Sequence, residues 1–304
     1  MTKFISLILV LFLFFTQSAN ADTYFLHRTD VQQFINQMVQ KHQFNKAKLT
    51  TLFSEVKLRP QVIHHMNKPL EQEPWHLYQT LFVNEWRIKH GVEFWNQYAS
   101  ALKKAENEFG VPASIIVATI GVETKYGKYI GNFRVIDSLT NLGFSHSSRA
   151  PFFRKELEQF LLLSREQHLD PLKVMGSYAG AIGQPQFMPS SYRYYAVNFS
   201  KSGKIDLINN EVDVIGSIAN YYKKHGWRTH APVAMKTSLA GNHSHHSNLK
   251  AKMITLENRD SKEYWLGYHN FDVIKRYNAS DLYAMAVFQL SHYIKESRDQ
   301  LKHG

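Results

Sequence analysis

"GVPASIIVATIGVETKYGKYIGN", residues 110–132, is the stretch on which the reading of this chain turns. Gly110 closes one helix as a C-cap, and Pro112 opens the next in its first turn. An almost unbroken apolar run follows. On a helix, Ile116, Thr119, Ile120 and Glu123 share one face, because they lie three or four residues apart. That face is otherwise apolar and is expected to point inward, so the run ends on a carboxylate in dry surroundings. Desolvation favours the protonated form of such a group. A protonated carboxylic acid in a cleft is a general acid, the group that protonates a glycosidic oxygen. The plain alternative is a helix-end glutamate that reaches water or pairs with Lys125.

Composition narrows the classes around that run. With 304 residues, 44% of them hydrophobic, the chain can bury a sizeable core and is too apolar to be disordered. The excess of 36 Lys+Arg over 25 Asp+Glu gives +11, which suits an anionic partner. No arginine-rich tract or zinc-finger spacing accompanies it, so nucleic acid is not the expected partner. Cysteine is absent, which rules out disulfides, thiol nucleophiles and Cys-ligated metals. At the N-terminus, a basic Met1–Lys3 precedes an apolar Phe4–Phe15, and Ala19-Asn20-Ala21 fits a cleavage site before Asp22. The apolar run falls short of the ~20 residues that span a bilayer. Residues 1–21 therefore read as a cleaved signal peptide, with no stable membrane anchor.

Apolar periodicity predicts helices over 31–58, 75–110, from Pro112 through Glu123, over 151–167 and over 211–227. A last helix starts near the N-cap Ser280. Residues 58–74, with three prolines, read as a connection. "VAMKTSL" (233–239) and "KMITLE" (252–257) read as short strands. The expected class is mainly α, with a small β insertion before the C-terminal helix.

Four further segments carry candidate chemistry. "MGSYAGAIGQPQFMPSSY" (175–192) combines glycines that let backbone approach a ligand, amides for sugar hydroxyls, and aromatic faces for stacking. It reads equally as a Gly/Pro connector with core aromatics. "NFSKSGKIDL" (198–207) has oxygen-bearing residues at alternate positions, as in a calcium loop. However, Ser202 stands where a second acid is wanted, and Asn209 replaces the bidentate glutamate. No metal is expected there. His243, His245 and His246 sit on one polar loop without a further ligand at metal-site spacing. "RYNASDLYAMAVFQL" (276–290) places Tyr277, Asn278 and Tyr283 around a helix start.

Taken in order, "GVETKYG" (121–127), "GSYAGAIGQPQFMPSSY" (176–192), "IGSIANYYKKHGW" (215–227) and "RYNASDLYAMAVFQL" closely resemble the lytic murein transglycosylase B family. "FWNQYASAL" (94–102) fits the same pattern. The resemblance implies a lysozyme-like catalytic core (96–228) within an elongated α-rich molecule. An N-terminal helical region (22–95), a β-containing insertion (229–268) and a completing C-terminal segment (269–304) make up the rest. It implies cleavage of the β-1,4 bond between N-acetylmuramic acid and N-acetylglucosamine in peptidoglycan strands, giving a 1,6-anhydromuramoyl product without water. Glu123 matches the family's single catalytic acid. Ser177 and Gln186 match polar groups beside it. Tyr78, Tyr221, Tyr277, Asn278 and Tyr283 match positions that hold the sugar or orient the acid. Phe187 and Met188 match the cleft wall, and Arg149 a basic position facing the lactyl or peptide portion. Gly127 and Gly131 then read as room for a glycan beside the acid. Departures are Ser148 in place of a first arginine, the degraded calcium loop with one extra residue between Gly203 and Asp213, and the lack of a lipidation cysteine. The expected location is the periplasm, free of a lipid anchor, with other cell-wall enzymes as further partners. The alternatives are a water-using muramidase on the same scaffold and a catalytically idle peptidoglycan-binding protein.

Overall fold

Helix α1 (Thr29–His42) buries Val31, Phe34, Ile35 and Met38, the three-to-four spacing read from the sequence. Gln43 ends it in a left-handed conformation, φ 57. Asn45 then caps α2 (Lys46–Ser54) by accepting from the Lys48 amide, so one helix expected over 31–58 is two. The expected connection after it holds a short helix, α3 (Pro60–Met66). Pro60 occupies its first position, where a missing N–H costs nothing. The computed structural model describes residues 25–66, 73–145, 147–238 and 250–303. The cleavage signal and the 243–246 histidines lie outside these residues.

The chain divides into two compact units, Met1–Asn67 with Asn132–Gly180, and Lys68–Gly131 with Ala181–Gly304. The first unit adds β1 (Phe133–Arg134), α8 (Val135–Gly143), α9 (Ala150–Glu166) and β2 (Met175–Gly176). Strands β1 and β2 pair antiparallel, with Phe133 opposite Gly176. Helices α8 and α9 pack together, and Leu139, Leu142, Phe153, Leu157 and Phe160 on them are buried. Phe144 takes edge-on contacts from Phe25 and Phe34 at 5.7 and 5.8 Å. Asp137, 1% exposed, is forked by the Arg134 guanidinium at 2.8 and 2.7 Å and accepts the Lys57 amide at 3.0 Å. A buried carboxylate is tolerable only when paired in this way.

The second unit carries α4 (Trp75–Phe82), α5 (Glu85–Gln97), α6 (Ala99–Phe109) and α7 (Ala113–Thr124). It continues with α10 (Pro189–Tyr195), α11 (Glu211–Lys224), β3 (Ala234–Thr237), β4 (Lys252–Glu257), β5 (Lys262–Gly267), α12 (His269–Ile274) and α13 (Asp281–His303). The single helix expected over 75–110 is three. Asn84 turns extended and caps α5 by accepting from the Arg87 amide, and Tyr98 at φ −109, ψ 25 separates α5 from α6. Pro112 is the extended cap of α7 rather than part of its first turn. The sheet order is β3-β5-β4, antiparallel throughout. Its central strand, "KEYWLG", went unread because it opens on two charges and lacks clean alternation. Helices α5, α6, α11 and α13 all pack on α7, which makes α7 the buried axis of this unit.

Candidate active site

Helix α7 buries eleven of its twelve residues; the exception, Glu123, is half-buried. The helix has no polar face because every side of it meets another helix. Glu123 is therefore the one position of α7 that is not buried. Ile116, Thr119 and Ile120, on the same face one and two turns earlier, are fully buried. Dry packing behind a partly exposed acid is the setting a general acid needs.

The Tyr283 hydroxyl donates to Glu123 Oε1 at 2.5 Å. Ser280 places Tyr283 by capping α13, accepting from the Leu282 and Tyr283 amides at 3.1 and 3.4 Å. Burial first, and then the charge of Glu123, push the Tyr283 phenol well above its usual range, so it stays a donor. Tyr277 stacks on it, with centroids 6.3 Å apart and planes 15° apart. The Tyr277 hydroxyl donates to Pro185 O at 2.6 Å, and that of Tyr221 to Arg276 O at 2.5 Å. Tyr221, Tyr222 and Phe187 all lie within 4.7–5.7 Å of the Tyr277 ring. The same two causes, burial before the Glu123 charge, raise Tyr277 and Tyr222; for Tyr221, burial leads and Tyr195 precedes Glu123.

The loop 181–188 is fitted to the end of α7. Its backbone closes on itself, with Ile182 and Phe187 exchanging amide bonds at 2.8 and 3.1 Å. The Thr124 hydroxyl donates to Gln184 O at 2.9 Å and accepts from the Gly127 amide at 3.1 Å. A Cβ on Gly127 would meet the Gln184 side chain at 2.9 Å, and φ there is +82. Gly131 also has a positive φ, 99. The two glycines thus serve the backbone reversal, and the space at Gly127 is taken by Gln184 rather than left open for a glycan. Gln186, half-buried, donates from Nε2 to Ile130 O and Gly183 O at 3.1 and 2.8 Å. Phe187 is 2% exposed, whereas Met188 is half-buried at the start of α10.

A family model described as the transglycosylase SLT domain matches residues 27–292. The membrane-bound lytic murein transglycosylase B of Escherichia coli is 39% identical, over 91% of this chain and 85% of that protein. The chain belongs to the SLT transglycosylase family. The soluble lytic transglycosylase SltB1 of Pseudomonas aeruginosa superposes with TM-score 0.81 at 41% identity, over 88% of this chain and 98% of that one. The E. coli lytic transglycosylase Slt35, solved in complex with bulgecin A and separately with calcium, gives TM-score 0.83 at 39% identity. That match covers 90% of this chain and 94% of the other. The fold is the lysozyme-like fold of lytic murein transglycosylases, and the chain is an enzyme of that peptidoglycan-cleaving class.

Of the residues singled out in the sequence of this SLT transglycosylase, Glu123, Gln186, Phe187, Met188, Tyr221, Tyr277, Asn278 and Tyr283 all belong to the second unit. Tyr78 does too, but as a core residue 1% exposed, its ring 4.6 Å from that of Phe82 and stacked on Trp75. Ser177 and Arg149 belong to the first unit. Ser177 accepts there from the Ser138 hydroxyl at 3.2 Å. Arg149 is exposed at the start of α9, its guanidinium 5.2 Å from the Phe153 ring.

Sequence reasoning missed several supports of the acid. Arg87, 6% exposed, donates from Nε to Gly121 O at 3.0 Å in the last turn of α7 and also to Leu81 O. Tyr126, in a left-handed conformation, donates to Arg87 O at 2.6 Å. Tyr222 bonds Thr119 at 2.9 Å. The one available signal was a lone arginine on an otherwise apolar helix face.

Among the described residues no cluster of three or more His, Asp or Glu is placed to hold a metal. In the calcium-like loop, Asn198 Oδ1 accepts the Ser202 amide, and Ser202 donates to Lys204 O, each at 3.0 Å. Asp206, the only acid in 198–209, accepts the Ile208 and Asn209 amides at 2.8 and 2.9 Å. Asp213, fully buried on α11, closes the loop by accepting the Ser200 and Asp206 amides at 2.8 and 3.1 Å.

Proposed function

We propose that Glu123 cleaves the β-1,4 bond between N-acetylmuramic acid and N-acetylglucosamine as acid, then as base. It first protonates the leaving glycosidic oxygen. It then takes the proton of the muramoyl 6-hydroxyl, whose oxygen attacks C1 and closes the 1,6-anhydro ring. One carboxyl group can serve both steps because the first leaves it ionised for the second. The observation that carries this reading is the 2.5 Å Tyr283–Glu123 hydrogen bond at the one unburied position of α7. A donor fixed on Oε1 stabilises the ionised state between the two steps.

Gln186, Met188 and Asn278 are assigned to the sugar, with Ser177, Arg149 and Tyr78 as further binding or supporting positions. Tyr221 and Tyr277 orient the acid and its loop. The loop at 198–210 is held by hydrogen bonds within it and by the Asp213 carboxylate, and the enzyme works without calcium. The cleavage signal at 19–21 and the absence of a lipidation cysteine support a periplasmic protein without a lipid anchor. Among the described residues, no helix is long and apolar enough to cross a membrane.

The test is mass spectrometry of products from purified sacculi, parent beside Glu123→Gln. The parent is expected to release muropeptides lighter by one water than hydrolytic products, and Glu123→Gln none. Products of hydrolytic mass would establish a muramidase instead. Equal digestion by Glu123→Gln would sink the assignment of the acid.

A further inference from the structure

Helix α13 works on two sides. Tyr283, Val287, Leu290 and Ile294 run along one side and are buried. Phe288, Gln289, His292, Tyr293 and Glu296 run along the other, about half a turn away at 3.6 residues per turn. With strand β5 and Lys236, this second side lines a cavity of about 410 Å³. That volume lies within the ~300–1,000 Å³ of small-molecule sites. It faces away from Tyr283, so it is separate from the Glu123 site.

The cavity's aromatic wall is held in place beforehand. The Trp265 indole N–H donates to Glu263 Oε2 at 3.1 Å, and Asn258 holds the other Glu263 oxygen at 3.0 Å. Burial raises the Glu263 carboxyl, but the hydrogen bonds from Asn258 and Trp265, then the charge and hydrogen bond of Lys236 3.4 Å away, bring it below its usual range. Trp265 therefore has one orientation, edge-on to Phe288 at 6.0 Å and 82°. Gln289, 7% exposed, accepts from the Gln79 side-chain amide at 2.8 Å. Tyr293, 42% exposed, stands at the edge. Glu263 pairs with Lys236, and Glu296 lies 3.1 Å from His292, so the lining is not basic although the chain carries +11 overall. Fixed aromatic faces, paired amides and carboxylate acceptors suit a polyhydroxylated ligand. Sugar C–H faces pack on rings, and hydroxyls bond amides and carboxylates.

We propose that this cavity is a second saccharide site, for an N-acetylhexosamine unit of the glycan. It rests on the proposed function only for the identity of the polymer. Its work is retention on an insoluble strand while Glu123 acts elsewhere.

The probe is the tetramer of N-acetylglucosamine, titrated calorimetrically into Glu123→Gln so that nothing is consumed. Adding Trp265→Ala is expected to remove one equivalent of binding, and adding Tyr293→Ala to weaken that equivalent about tenfold. Retention on sacculi should fall about tenfold in both. Tyr293 is at the surface, so Tyr293→Ala remains informative if Trp265→Ala does not fold. Stoichiometry and affinity unchanged in Tyr293→Ala, or in a folded Trp265→Ala, would overturn the proposal. The two readings separate cleanly. In the Glu123-containing chain, Trp265→Ala should still release anhydro product from a short soluble glycan. Absence of that product from the parent would sink the transglycosylase reading and leave the tetramer titration intact.

Discussion

Replacing Tyr283 by Phe removes one oxygen atom and the 2.5 Å hydrogen bond to Glu123, and little else. The ring keeps its 6.3 Å stack on Tyr277 and its buried seat. A hydrogen bond to a charged group contributes about 1.5–3 kcal/mol. If Glu123 is ionised between two steps, the whole of that contribution is missed on the way to the ionised state. At about 1.4 kcal/mol per tenfold, kcat should fall roughly 10- to 150-fold. KM should hold within about twofold, because the phenol bonds the acid and not the sugar. The assay is the initial rate of anhydromuropeptide release from sacculi, by chromatography and mass spectrometry, with a thermal melt as control. A kcat within about threefold of the parent would refute the reasoning, as would a loss confined to KM.

Gly121→Ala would set a Cβ 2.5 Å from the Tyr126 hydroxyl and 2.7 Å from its Cζ, and should cost about 1–3 kcal/mol by overpacking. Adding Tyr126→Phe should recover part of it in urea unfolding. Asp137→Ala leaves the Arg134 guanidinium without its carboxylate, with only the Glu55 carbonyl to bond, and the urea midpoint should drop by the equivalent of about 3 kcal/mol, partly restored by Arg134→Met. Stability should also fall at high pH. Burial pushes the Tyr221, Tyr222 and Tyr283 phenols above 10.0, so the folded state keeps protons that the unfolded state releases. The unfolded state then binds fewer protons above about pH 10, and each tyrosine removes ~1.4 kcal/mol per pH unit from there upward. Phenolate absorbance from these rings should appear only with unfolding; its appearance in the folded protein would contradict their burial.

Glu123 was legible because two local signals met in it, an apolar face and a charged end. The long 176–192 and 215–227 motifs supplied the rest, since glycines and aromatics in fixed order carry their meaning in the sequence itself. What escaped was whatever depends on contacts distant in sequence. Arg87 lies 34 residues before the carbonyl of Gly121 that it bonds, and nothing near it announces the partner. Gly127 was read as space, but its neighbour Gln184 is 57 positions away. Helix breaks at Asn84 and Tyr98 escaped for a different reason: apolar periodicity runs through them, and a single cap outweighs it. The central strand β5 was hidden because its stability comes from the two strands flanking it, not from its own pattern.

An acid mounted on α7 is fixed in place. Four helices grip that segment, and any slide or rotation of it would disturb packing on every side at once. The carboxyl can pivot only about its own side-chain bonds, and Tyr283 limits even that. On the proposed mechanism, adjustment during turnover falls to the polymer: the scissile sugar shifts its pucker and depth to meet a stationary proton donor. Good substrates will be strands that yield readily at one ring, and a rigid mimic already shaped to that distorted form should block the enzyme better than a relaxed one.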